Sequence, residues 1–69
     1  MEKMKVSLKA ARVNAGFTQD YVSRKLKKSK TTIVNWENGK TVIDADSFIQ
    51  LSNLYKLPPE FIYLPKTST

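Results

Sequence analysis

The chain has 69 residues, 41% hydrophobic and 26% charged, with no cysteine, no histidine and a net charge of +6. That length holds one small domain, and the composition is that of a folded chain rather than a disordered tail. Without cysteine or histidine there is no disulfide scaffold, no zinc finger and no catalysis by a histidine base or cysteine thiolate.

Apolar spacing predicts helix nearly throughout. Met4, Leu8, Ala11 and Ala15 form one stripe of a first helix from about Lys5 to Ala15, and Gly16 stands where a left-handed terminating residue belongs. Thr18 is placed to cap a second helix from Gln19 to about Lys25, with Val22 and Leu26 facing inward. Ser29 is the next cap, opening a third helix to about Glu37 with Ile33 and Trp36 on its inner side; Asn38-Gly39 ends it. After a loop over Lys40 to Ile43, Asp44 or Asp46 caps a fourth helix to about Lys56, carrying Phe48, Leu51 and Tyr55 inward. Pro58-Pro59 breaks that helix and starts a short fifth, with Phe61, Ile62 and Leu64 on its apolar side and Pro65 as its stop. No window alternates like a strand. The expectation is an all-α domain of five short helices over residues 1–65, followed by a loose tail at 66–69.

The charge is unevenly spread. Residues 24–40 hold Arg24, Lys25, Lys27, Lys28, Lys30 and Lys40 against Glu37 alone, a net +5, whereas residues 41–69 are slightly acidic. A basic run of this kind is the electrostatic footprint of a polyanion partner, although charge alone is equally that of a solvated lysine-rich surface. No segment approaches the roughly 18 apolar residues of a membrane span, and no charged-then-apolar leader opens the chain. The expected location is the cytoplasm, in association with the nucleoid.

Few residues separate Leu26 from Lys30, and two helices joined by so sharp a turn, about residues 18–37, describe a helix-turn-helix. Here the sequence resembles a known family. Thr18-Gln19 opening the second helix, Leu26 closing it, Ser29 opening the third and Trp36-Glu37-Asn38-Gly39-Lys40 ending it are similar to the lambda-repressor-like helix-turn-helix family, which includes phage repressors, Cro proteins and small bacterial regulators of the XRE type. The resemblance covers roughly residues 5–64. Three positions depart from its pattern. Lys27 stands where the family usually has glycine, so it must adopt positive φ or the turn must re-form. Lys28 replaces a small apolar residue, and Ile43 a loop proline. Ser23 stands where alanine is common and is still small enough for close packing.

The third helix is then the expected recognition helix. A major groove about 12 Å wide admits one α-helix, whose outward N-terminal side chains meet base edges. With Ile33 and Trp36 inward, the outward residues are Lys30, Thr31, Val34 and Asn35. Lysine donates to guanine O6 or N7, asparagine pairs with adenine N6 and N7, and Val34 and the Thr31 methyl suit a thymine methyl. The resemblance implies that Lys30, Thr31 and Asn35 are base-reading positions. Gln19 lies in the first turn of the second helix, where free N–H groups attract phosphate, and the resemblance implies that it contacts phosphate or braces the recognition helix. Ser29, Thr32, Asn38, Lys40 and Thr41 are further phosphate candidates. The resemblance also implies that Arg12 and Glu37 form a partly buried ion pair, and Trp36 is read as core.

One short recognition helix reads few base pairs, so genomic selectivity calls for a homodimer on half-sites about 34–36 Å apart. The candidate contact is Phe61, Ile62, Tyr63 and Leu64, unless Phe61 and Leu64 complete the monomer core instead. The expected function is a sequence-specific double-stranded DNA binder, most simply a repressor of phage or bacterial type, with no cofactor, metal, membrane or small-molecule ligand. The alternative is a protein-binding adaptor or antitoxin-like module on the same fold, against which the lysine-rich turn argues. No aromatic platform suggests RNA, and no paired carboxylates or phosphate loop suggest an enzyme.

Overall fold

The computed structural model describes residues 4–65. It is helical, with α1 (Leu8–Ala15), α2 (Gln19–Leu26), α3 (Lys30–Asn38) and α4 (Ala45–Tyr55), followed by one 3₁₀ turn at Pro59–Phe61. The tail expected at 66–69 lies outside the described residues.

The helices are too short to persist alone, and each is bounded by the same two devices. At the start, a side-chain oxygen accepts the N–H three residues on: Ser7 from Ala10 and Thr18 from Tyr21 at 3.0 Å each, Ser29 from Thr32 and Asp44 from Ser47 at 3.1 Å each. These bonds to Ser47 hold the Asp44 carboxyl below the usual carboxylate range. At the end, a left-handed residue turns its own N–H and the next back onto the last turn. Those residues are Gly16, Lys27, Gly39 and Lys56.

Two expectations need correction. The first helix begins at Leu8 and not near Lys5, because Ser7 caps it and Val6 runs extended. Val6 N–H donates to the Phe61 carbonyl at 2.8 Å and its carbonyl accepts from Tyr63 N–H at 3.0 Å, a single parallel bridge joining the two ends of the described chain. Met4 therefore drops out of the α1 stripe and is 86% exposed. The fifth helix is only the 3₁₀ turn, since the backbone at Ile62 is extended and committed to Val6. Among the described residues there are four α-helices and one 3₁₀ turn rather than five helices.

Inside lie Leu8, Ala11, Val22, Leu26, Ile33, Trp36, Ile43, Leu51, Tyr55 and Ile62. Ile43, in the position of the family's loop proline, buries its side chain and so anchors the loop by packing. Phe48 is half-buried against the cluster, while Leu64 faces out. None of the described helices is long and apolar enough to cross a membrane.

Lys27 carries φ +56° and ψ +43° at the helix-turn-helix corner, so the turn keeps its glycine geometry with a lysine in it. A side chain in that region costs about 1–2 kcal/mol, which glycine avoids at some cost in chain entropy. Lys27→Gly is expected to raise the urea unfolding free energy by about 0.5–1 kcal/mol, and Lys27→Val to lower it.

Candidate nucleic-acid interface

Among the described elements, α2 and α3 share the most extensive contact. Leu26 is buried at the corner, Lys28 N–H donates to the Ser23 carbonyl at 2.9 Å, and the buried Ser23 hydroxyl donates to the Asp20 carbonyl at 2.7 Å. Ser23 thus stays small and has its polar atom satisfied within its own helix. Ile33 and Trp36 fix the inner side of α3, being 1% and 6% exposed.

Its other side is open. Lys30 and Thr31 are exposed, Val34 and Asn35 are half-buried, and Asn38, Lys40 and Thr41 follow exposed at the far end. The residues expected to read bases therefore share one flank of α3. Ser29 is exposed and Thr32 half-buried, but their hydroxyls lie 2.9 Å apart within the N-cap, so each is partly engaged by the other. Among the outlying basic residues, Lys25 extends its ammonium over the Tyr21 ring, 5.6 Å from its centre, and Tyr21 in turn stacks on Phe17 at 4.8 Å. Lys25 thus belongs to a surface aromatic cluster.

Beneath the site runs a polar brace. Arg12 Nε donates to Glu37 Oε2 at 2.7 Å and Nη2 to Oε1 at 3.4 Å, while Nη1 donates to the Phe17 carbonyl at 2.9 Å. Gln19 Nε2 donates to Glu37 Oε1 at 3.0 Å. The Arg12 and Glu37 side chains are 10% and 4% exposed. One carboxylate at the end of α3 is thereby held by α1 and by the first turn of α2. Composition and spacing could not show the Gln19–Glu37 bond or the Phe17 carbonyl's part; both depend on where separate helices meet.

Tyr55 packs beside this brace, its ring 6.3 Å from that of Phe17, and its buried hydroxyl has no hydrogen-bond partner among the described residues. Burial and then the Glu37 charge push its ionisation well above the usual tyrosine range.

Of the four candidate dimer residues, Ile62 is 4% exposed and belongs to the core, and Phe61 is half-buried. Tyr63 and Leu64 face outward, 48% and 41% exposed. Among the described residues near the chain ends, the outward large apolar side chains are thus these two and Met4.

The sequence from 7 to 65 matches a family model described as a helix-turn-helix domain. The chain belongs to the helix-turn-helix domain family. The resemblance carried by Thr18-Gln19 and Trp36-Glu37-Asn38-Gly39 is borne out by that match. The chain is also 34% identical over 55 residues to a curated protein, the HTH-type transcriptional regulator ImmR of Bacillus subtilis (strain 168), covering 80% of this chain and 43% of that protein. It therefore spans less than half the length of the regulator it matches.

Two outcomes follow for this helix-turn-helix domain. Removing one partner of a buried ion pair costs about 3–5 kcal/mol, so Arg12→Ala and Glu37→Ala should leave most of the chain unfolded by circular dichroism at 25 °C. Tyr55 has its folded ionisation raised, so stability should be level below the ordinary tyrosine value near 10 and fall as pH rises past it. Tyr55→Phe should flatten that alkaline fall in urea titrations, and should cost nothing at pH 7, because it removes an unpaired hydroxyl.

Proposed function

We propose that this domain is a sequence-specific double-stranded DNA binder that regulates transcription, acting as a repressor by occupying an operator. The observation that carries the reading is the division of α3. Its inner side is locked by Ile33, Trp36 and the Glu37 brace, while Lys30, Thr31, Val34 and Asn35 lie along the solvent side. A rigid helix presenting a short polar and apolar row is what direct readout in a major groove requires.

Lys30 donates to guanine O6 or N7, Asn35 pairs with adenine, and Val34 with the Thr31 methyl meets thymine methyl groups. Gln19, Asn38, Lys40 and Thr41 set the register on the phosphates, with Ser29 and Thr32 adding their hydroxyls where the N-cap leaves them free. Gln19 has a second amide proton beyond the one given to Glu37, so it can brace α3 and meet a phosphate together. The protein acts as a homodimer on a two-fold site, with Tyr63 and Leu64 as the contact and Phe61 at its margin. It works in the cytoplasm, at the nucleoid. The bacterial regulator it resembles and the +5 charge of residues 24–40 both support this reading.

Selection from a randomised duplex pool followed by salt titration tests it. The expected result is a palindromic consensus whose log affinity falls with log salt by about 0.9 per phosphate neutralised. Asn35→Ala and Thr31→Ala should each relax preference at one base pair per half-site, whereas Lys40→Ala should weaken all duplexes alike. Alanine at Lys30, Thr31 and Asn35 together with unchanged preference would refute the assignment.

A further inference from the structure

The groove where α2 and α3 begin contains a charge that the proposed contacts leave unused. Its walls are Arg12, Thr18, Gln19, Asp20 and Lys30. Arg12 is neutralised by Glu37, and Gln19 gives an amide proton to the same carboxylate. That leaves two opposite charges in the groove, the Lys30 ammonium and the Asp20 carboxylate. Both residues are exposed, and among the described residues neither charged group has an ion pair or hydrogen bond.

A carboxylate is a liability on a surface meant only to hold phosphate. Its value lies in what it does to the lysine. Lysine is a compact charge on a flexible stem, with three donors and no preferred direction. Beside a duplex, the nearest phosphate competes with the base edge for it, and phosphate contacts carry no sequence information. A carboxylate in the same groove repels that phosphate. It can also accept a hydrogen bond from one ammonium N–H and leave two N–H groups for the O6 and N7 acceptors of a guanine.

We propose that Asp20 is a positioning residue for Lys30, steering its ammonium away from the phosphates and onto a base edge, and so setting specificity at one base pair. The proposal rests on the reading of α3 as the base-reading helix. As a first-turn acid, Asp20 also favours the positive end of the α2 dipole, but that effect changes folding and not the choice between bases.

The test is a panel of duplexes varied one base pair at a time around the selected site, bound by the parent, Asp20→Asn, Asp20→Glu, Lys30→Ala and the double variant. Preference ratios taken within one protein sample are insensitive to the fraction folded. Lys30→Ala should erase a preference of about tenfold at one base pair, the scale of a single good base contact. Asp20→Asn should cut that same preference at least about threefold while tightening binding to random duplex. Asp20→Glu should restore it in part, and the double variant should lose no more than Lys30→Ala alone. If Lys30→Ala changes preference and Asp20→Asn does not, or Asp20→Asn shifts every position equally, the positioning role is overturned while base reading by α3 stands. If Lys30→Ala alters no preference, base reading by Lys30 falls and the role of Asp20 falls with it.

Discussion

The carboxylate of Glu37, 4% exposed and 2.7 Å from Arg12 Nε, is the constraint on which the site depends. It closes α3, and its partners come from α1 and from the first turn of α2, so a single group fixes α3 against both. Taking two charges out of water is unfavourable, and an apolar trio of similar volume would serve stability equally well. What the ionic arrangement supplies is direction. A guanidinium fork and an amide accept few orientations, so α3 cannot rotate about its axis without breaking them. Rotation by one residue would move Lys30 and Asn35 off the flank on which the proposed base reading depends.

Short helices are held to length by local chemistry, and that also serves the site. Ser7, Thr18, Ser29 and Asp44 start the four helices in one manner, and Gly16, Lys27, Gly39 and Lys56 end them in one manner. In the helix-turn-helix corner the stop and the next start are separated only by Lys28. The corner therefore has little freedom, and the packing of Leu26 with the small Ser23 sets how closely α2 and α3 approach. Lysine in the left-handed position carries some strain while placing another cation beside α3.

Much of this was legible in the residues because it is local. Caps and stops depend on neighbours in sequence, so Thr18, Ser29, Gly16 and Gly39 stand where the residues predict, as do the inward Ile33 and Trp36, and of the two cap candidates Asp44 and Asp46 it is Asp44 that caps α4. The Arg12–Glu37 pair was reached only through family resemblance, since 25 residues separate its members. Met4 continues the apolar stripe, so spacing predicts a first helix starting about three residues before the one that forms at Leu8. In the structure Ser7, inside that window, caps the helix, and the bridge to Ile62 that draws Val6 away is a contact between opposite ends of the described chain. The same bridge kept Phe61 to Leu64 from forming a fifth helix. Nothing local marks Gln19 as a partner of Glu37, or Asp20 and Lys30 as walls of one groove; both facts arise where α2 and α3 cross.

The central claim is that the solvent side of α3 lies in the major groove of a duplex, and amide chemical-shift mapping of the labelled protein against its selected duplex tests it most directly. The account predicts that the largest changes fall on residues 18–20, 29–35 and 38–41, with the core positions Leu51 and Ile62 little moved. Changes centred on α4 or the chain ends, with residues 29–35 unmoved at saturation, would contradict it.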